Sequence, residues 1–317
     1  MPEKLTIRKM PVGGEVKGLE PGDEHDPAVR HDLFDAWLAY GFLVFRRISS
    51  AEQHLAVSRI FGELELHPLE FMRSEDEPLL MELGGKRQRG RALVYDDRDM
   101  RLGRLPWHRD TAYTPDICKG AMLRMLAVPS RYGETLFADT AMAYDELPAE
   151  LKLRLEQLEY TAALRPIRED TRGATWSKMR LATRQEDSEG FDSALNVQPQ
   201  GPVVIHPMVV AHPESGRKAL FLSPKDSLGI VGLPAVESDE LLAFLTDHLA
   251  SPRFVYKHAW AADEAVLWDN RRIIHAALGY EVGERRWAVR TTLSGALRTG
   301  RYLDGGVEPS QDPVTAD

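Results

Sequence analysis

Trp107-His108-Arg109-Asp110 follows the turn-rich Leu102-Gly103-Arg104-Leu105-Pro106 and precedes the more regular run Lys119–Val128. In an extended segment side chains alternate faces, so His108 and Asp110 point the same way; on a helix they would diverge by about 200°. The extended reading therefore offers one imidazole and one carboxylate to a single ion. His-x-Asp is frequent by chance, and the pair acquires meaning only with a third ligand and a use for the metal.

The rest of the chain reads outward from this stretch as short strands punctuated by Gly and Pro. Asp26-Pro27 opens a helix with Val29, Leu33, Phe34, Trp37 and Leu38 on one face, and Gly41 stops it. Phe42–Phe45 reads as a buried strand. Ser50 and Gln53 have capping-box spacing for a second helix that carries Leu55, Val57, Ile60 and Phe61 inward and closes at Gly62. Strands are expected at 79–83, 92–95, 120–128, 136–138, 202–211 and 219–222, then at 254–257, 265–267, 273–276 and 286–293. Residues 144–160 look helical with a break at Pro148, and Ser238 reads as the cap of a helix carrying Leu241, Leu242, Leu245 and Leu249. Many short strands and few helices indicate a mainly β fold, a sandwich or jelly roll with peripheral helices. No composition break divides the chain, so residues 1–317 are read as one domain. From Arg165 to Gly201 the pattern dissolves into polar residues, and a connection this long is expected to be a lid over the site.

Composition narrows the function. With 43% hydrophobic and 28% charged residues, the 317-residue chain resembles a soluble globular protein. The net charge of -9 and the absence of a basic block argue against nucleic acid as partner. No apolar window is long enough for a membrane span, and the N-terminus lacks a signal-peptide core. The one cysteine, Cys118, excludes an intrachain disulfide and a cysteine-based zinc site, and fits the reducing cytoplasm.

Trp268-Asp269-Asn270-Arg271-Arg272-Ile273-Ile274-His275 supplies the third ligand. Two His and one carboxylate make the facial triad of non-haem Fe(II) oxygenases, with three coordination positions left open. A structural zinc site would need a fourth protein ligand, although ligand count alone leaves a catalytic zinc as an alternative. Arg286-Trp287-Ala288-Val289-Arg290 adds the discriminating feature. On a strand Arg286, Ala288 and Arg290 share a face. Two inward guanidinium groups are costly unless anions pair with them, and a dicarboxylate co-substrate would supply the anion. Without a metal nearby the same pattern would read as a solvent-facing edge.

Taken together, these motifs resemble the taurine dioxygenase / 2,4-dichlorophenoxyacetate dioxygenase family of Fe(II)- and 2-oxoglutarate-dependent oxygenases. The resemblance rests on Trp107–Asp110; on Gly133-Glu134-Thr135 with Ala138-Asp139-Thr140; and on His206-Pro207 with His212–Leu220. It continues through Trp268-Asp269-Asn270, His275 and the Arg286/Arg290 pair, with Phe61–Leu64 and His67-Pro68 upstream. It implies a double-stranded β-helix in which His108, Asp110 and His275 hold Fe(II). Arg290 is expected to anchor the distal carboxylate of 2-oxoglutarate, with Thr135 donating a hydrogen bond to it. Arg286 is expected near the metal, pairing with Asp110 or with the co-substrate's C1 carboxylate. The implied reaction consumes O2, decarboxylates 2-oxoglutarate to succinate and CO2, and hydroxylates a substrate C–H bond. Related halogenases lack the carboxylate ligand, so Asp110 favours hydroxylation.

Expected substrates are small sulfonates, sulfate esters, aryloxyalkanoates or similar polar molecules. His67 matches a substrate-contacting histidine of taurine dioxygenase. Glu70 stands where that enzyme has a tyrosine, Arg104 falls in its asparagine-bearing approach to the metal motif and Lys225 falls near a pocket phenylalanine; they are candidate substrate contacts, and two of them lining the pocket would point to a polar or zwitterionic substrate. Tyr132 replaces the first glycine of the usual Gly-Gly-x-Thr turn. The resemblance further implies a homodimer or homotetramer. The competing readings are a metal-binding jelly-roll protein that senses a small ligand without turnover, and a zinc hydrolase on the same barrel.

Overall fold

The computed structural model describes residues 5–67, 70–84, 92–95, 99–165, 167, 171–173, 179–183, 185, 201–295 and 297–303. Two sheets form its body. In the larger, the strands Thr6–Lys9, Gly14–Lys17, Phe42–Phe45, Ala265–Asp269, Gly120–Ala127, Trp287–Leu293 and Leu64–Glu65 lie side by side in that order. Met81–Gly84 also pairs with Trp287–Leu293. The smaller sheet runs Met179–Leu181, Leu93–Tyr95, Asp99–His108, Ile273–Glu281, Thr135–Asp139 and Val255–His258. Strands distant in sequence are thus neighbours in each sheet, the arrangement of a jelly roll.

Alternation along the strands builds three apolar layers. Phe42, Val44, Leu123 and Val266 of the larger sheet meet Phe137 and Ile273 of the smaller one between the sheets. The rings of Phe42 and Phe137 stack with centroids 5.3 Å apart. The odd-numbered neighbours Leu43, Phe45 and Leu267 face the other way, onto Leu33 and Trp37 of the helix Pro27–Tyr40. On the far side Trp107, Ile274 and Ala276 pack against Phe221, Tyr160 and Leu242, Leu245 and Leu249 of the helix Ala235–Leu249. Each such fully buried aliphatic or aromatic side chain contributes about 1.5–3 kcal/mol.

The first helix begins and ends as expected: Asp26 accepts from the Ala28 N–H, Pro27 takes the first position, and Gly41 closes it at φ 82°. Elsewhere tertiary contacts override local pattern. The second helix stops at Ser58, because the Ile60 and Phe61 N–H groups bond back three residues in a tighter turn. Residues 144–160 divide into two helices, Thr140–Asp145 and Ala149–Leu155, with the break at Pro148. Glu159–Ala162 is a strand, paired with Val204–Pro207. Ser238 does not cap its helix, which starts after Pro234; its hydroxyl accepts instead from the Ile230 N–H at 2.8 Å. Leu102–Pro106 is not a turn but part of the ten-residue strand Asp99–His108. The register against Ile273–Glu281 slips between His275 and Ala277, and this bulge accommodates Pro106, which cannot donate to a ladder. Most of the segment expected to form a lid, including Trp176 and Phe191, lies outside the described residues. No helix among the described residues is long and apolar enough to cross a membrane.

Three fully buried histidines bear on acid stability. Burial lowers His54 to about 3, with Arg124 adding to the effect, and lowers His206 and His258 to about 4. Each is neutral when folded, and each regains an ordinary value near 6.5 when unfolded, so the unfolded chain binds more protons below that pH. The stability they contribute is present above about pH 6.5 and is lost as pH falls towards 4, at up to about 1.4 kcal/mol per pH unit for each residue. The urea midpoint should therefore drop steeply between pH 6.5 and 4.5. A flat midpoint over that range would contradict the burial of these rings.

Candidate active site

His108 is the last residue of its strand, and His275 is its direct cross-strand partner on Ile273–Glu281. Both rings enter the space between the sheets, with centroids 4.2 Å apart. Asp110 lies just beyond the strand end, in a turn whose next residue, Thr111, has φ 55°. A β-branched residue in that region is strained. The strain accompanies a chain reversal that brings the Asp110 carboxylate within 3.9 Å of Nε2 of both histidines. One donor atom from each of the three residues lies within 4.8 Å of the others.

Neighbours hold these side chains in place. The His108 Nδ1–H donates to the Pro106 carbonyl at 2.8 Å, which fixes the tautomer with Nε2 free as a lone-pair donor. The His275 ring is held by packing on Trp268 and Phe137, at 4.9 and 6.2 Å between centroids. Asn270 acts as a surrogate strand for Asp110, accepting from its N–H at 2.9 Å and donating to its carbonyl at 2.9 Å. The fully buried Arg109 ties Asn270 to the next loop by donating to the carbonyls of Asn270 and Leu220 while lying 4.4 Å over the Phe221 ring. Beneath Asn270, the buried Asp269 accepts from His212 at 2.6 Å and from Arg271 at 3.0 Å. Such supporting partners restrict ligand rotation.

Electrostatics suit a cation. Burial would raise the Asp110 carboxyl, but the charge of Arg290, joined by His275 and His108 whenever these are protonated, outweighs it and holds Asp110 well below the usual carboxylate range. Burial lowers His108 and His275, in His275 with the charge of His108 adding to it. Two neutral imidazoles beside an ionised carboxylate form a donor set that fits a divalent metal such as Fe(II).

Arg290, rather than the expected Arg286, is the arginine beside Asp110. Arg290 reaches Asp110 from the larger sheet with Nη2 2.9 Å and Nη1 3.3 Å from the two carboxylate oxygens. Arg286 lies four residues back along the same face, roughly 13 Å away at the strand rise. It therefore cannot share that carboxylate. Its side chain runs beside Gly133, two residues from Thr135, and among the described residues no carboxylate pairs with it. Burial lowers its guanidinium, against a smaller opposing influence of Tyr280. Thr135 is buried and accepts from the Trp260 indole at 3.1 Å.

The candidate substrate contacts separate. Lys225 is only 12% exposed, pairs with Asp226 at 2.7 Å and depresses the protonation of His108. It sits in the 3-10 turn Pro224–Asp226, which is tied to the metal motif because the Ser223 hydroxyl donates to Asp226 and accepts from the Arg109 N–H. Arg104 is buried, and its Nε donates to the Leu278 carbonyl, so it serves the pairing of two strands. His67 is half-buried, with its carbonyl accepting from Arg73 at 2.8 Å. Glu70 departs from its expected position: its side chain is 87% exposed in a short surface turn, where solvation costs nothing. Tyr113 had not been singled out from the sequence. Burial, with Asp110 and Asp226 adding, pushes its phenol up to about 12. Its place three residues after Asp110 was the available signal.

Residues 6–292 match the sequence profile of the Taurine catabolism dioxygenase TauD, TfdA family. The chain belongs to that family. It is 34% identical over 288 residues to an (S)-phenoxypropionate/alpha-ketoglutarate-dioxygenase of Sphingobium herbicidovorans, covering 89% of this chain and 92% of that protein. It is 30% identical to an alpha-ketoglutarate-dependent 2,4-dichlorophenoxyacetate dioxygenase of Burkholderia sp. strain RASC, covering 89% and 91% respectively. The crystal structure of a taurine dioxygenase from Burkholderia xenovorans superposes with a TM-score of 0.71 at 25% identity, covering 96% of this chain and 95% of that one. The chain is accordingly an oxidoreductase of the Fe(II)- and 2-oxoglutarate-dependent dioxygenase class, with O2 as its other co-substrate.

Proposed function

We propose that His108, Asp110 and His275 hold Fe(II), and that Arg286 with Thr135 clamps the distal carboxylate of 2-oxoglutarate. The observation that supports this most strongly is the Arg286 side chain, which runs beside Gly133, two residues before Thr135, with no carboxylate partner among the described residues. A half-buried cation with no protein carboxylate suits an anionic ligand, and a planar guanidinium meets a carboxylate in bidentate fashion. The oxo-acid end then lies towards the triad. Arg290 keeps Asp110 ionised and oriented, and it places a guanidinium next to the triad where a substrate anion would approach. Bound at the triad, Fe(II) supplies the O2 activation that couples decarboxylation of 2-oxoglutarate to hydroxylation of a substrate C–H bond. The protein contributes geometry and exclusion of water.

The proposed substrate is a small molecule with one carboxylate or sulfo group, an aryloxyalkanoate foremost. Three relatives at 30% identity or more bear names of that substrate class, and Lys225, close enough to His108 to lower it, supports an anion. The test is succinate release from 2-oxoglutarate in a panel of aryloxyalkanoates, alkylsulfonates, sulfate esters and amino acids with Fe(II) and O2. Aryloxyalkanoates should give the largest kcat/KM. Succinate release with amino acids alone would overturn the substrate class, and none with any member would count against the turnover reading. We further propose a cytoplasmic homo-oligomer, supported by the single cysteine and the family resemblance.

A further inference from the structure

Thr135 lies on the inner face of Thr135–Asp139, and its register partners are Ala277 and His258. Its hydroxyl accepts from the Trp260 indole Nε1–H at 3.1 Å, and among the described residues that hydroxyl has no acceptor of its own. An indole nitrogen can only donate, whereas a hydroxyl carries one proton and two lone pairs. With one lone pair taken by Trp260, the Thr135 proton is left to donate into the site.

The turn that carries Trp260 is pinned from several directions. Glu264 accepts from the Ala261 N–H at 3.0 Å and from Arg46 at 2.8 Å, closing residues 261–264 on themselves and onto the larger sheet. Asp263, at φ 64°, donates its N–H to Met125 and accepts from the Ile48 N–H, both at 2.8 Å, while its carboxylate pairs with Arg124. The indole stands edge-on to the fully buried His258 ring, 4.3 Å between centroids at 89°. That many constraints hold the N–H in one direction.

We propose that Trp260 is a positioning residue which fixes Thr135 as a hydrogen-bond donor, and so prepares the site for a ligand group that only accepts, a carboxylate. The inference rests on the proposed clamp of Arg286 and Thr135. A Thr135 hydroxyl free to rotate would spend part of its time presenting a lone pair to the incoming carboxylate. Held by the indole, it meets the carboxylate already oriented, and the ordering cost is not incurred on binding.

The test is a double-mutant cycle on 2-oxoglutarate affinity, titrated anaerobically into Fe(II)-loaded protein. Trp260→Phe should weaken binding about threefold to tenfold, the worth of one net hydrogen bond. Thr135→Val should weaken it at least as much, and adding Trp260→Phe to Thr135→Val should change nothing further, since the indole acts through the hydroxyl. An undiminished Trp260→Phe effect in the Thr135→Val background, or no effect in the wild type, overturns the inference. If Thr135→Val alone leaves affinity unchanged, the clamp itself is refuted. Should Trp260→Phe fail to fold, the indole N–H resonance of Trp260 in 15N-tryptophan-labelled protein serves instead. It should shift on addition of 2-oxoglutarate and between wild type and Thr135→Val, and an indifferent resonance overturns the inference.

Discussion

His275→Ala is expected to abolish measurable succinate release and to weaken Fe(II) binding by more than about a hundredfold, because losing even an outer-shell partner of a metal ligand costs 10–100-fold. Removing one of three donors leaves Nε2 of His108 and the Asp110 carboxylate, which are 3.9 Å apart. Two donors define no face, so the remaining positions would fill with water. The aromatic cage of Trp268 and Phe137 survives the substitution, and the strand still pairs with both neighbours. The metal-free variant should therefore retain the wild-type circular dichroism spectrum and lose only the rise in melting temperature that Fe(II) confers. Competition against a chelator under anaerobic conditions measures the affinity. Retention of wild-type affinity would remove His275 from the proposed ligand set.

Arg286→Leu should raise the 2-oxoglutarate requirement by roughly thirtyfold to several thousandfold, since truncating one partner of a buried hydrogen-bonded charge pair costs about 2–5 kcal/mol. The ligand-free protein responds in the opposite sense. No carboxylate among the described residues pairs with Arg286, and burial disfavours its charge. Leucine relieves that desolvation, so the melting temperature without ligand should hold or rise while the stabilisation by 2-oxoglutarate disappears. Arg290→Leu differs in kind. It strips Asp110 of its bidentate partner, so its effect should fall on Fe(II) affinity as well as on turnover. If Arg286→Leu leaves the co-substrate requirement unchanged while Arg290→Leu raises it, the order read from the sequence, with Arg290 at the distal carboxylate, is restored.

What was legible in the sequence and what was not divides along physical lines. Periodicity and caps are local, and they placed the helix Pro27–Tyr40, the strand Phe42–Phe45 and the inner face shared by Ala288 and Arg290. The jelly roll followed from the number of such strands. The metal-ligand candidates were legible because each lies in a compact motif, and pairing of two distant strands then sets His108 opposite His275. The placement beside Asp110 went to Arg290 rather than Arg286, since a shared face says nothing about which residue is level with Asp110. The exposure of Glu70 was illegible for a related reason: a position in a loop carries no information about burial. The supporting contacts were illegible because they bridge long separations. Asn270 meets Asp110 across 160 residues and Trp260 meets Thr135 across 125. Ser238 looked like a cap because capping chemistry is local, yet its hydroxyl serves a neighbouring strand.

The most direct test of the account is anaerobic titration of the Fe(II)-loaded protein with 2-oxoglutarate, followed by visible absorption. A weak charge-transfer band that saturates at one 2-oxoglutarate per chain, vanishes in His275→Ala and needs far more co-substrate in Arg286→Leu is the predicted result. A wild-type protein that binds Fe(II) but develops no band, or a band that Arg286→Leu leaves unmoved, would contradict it.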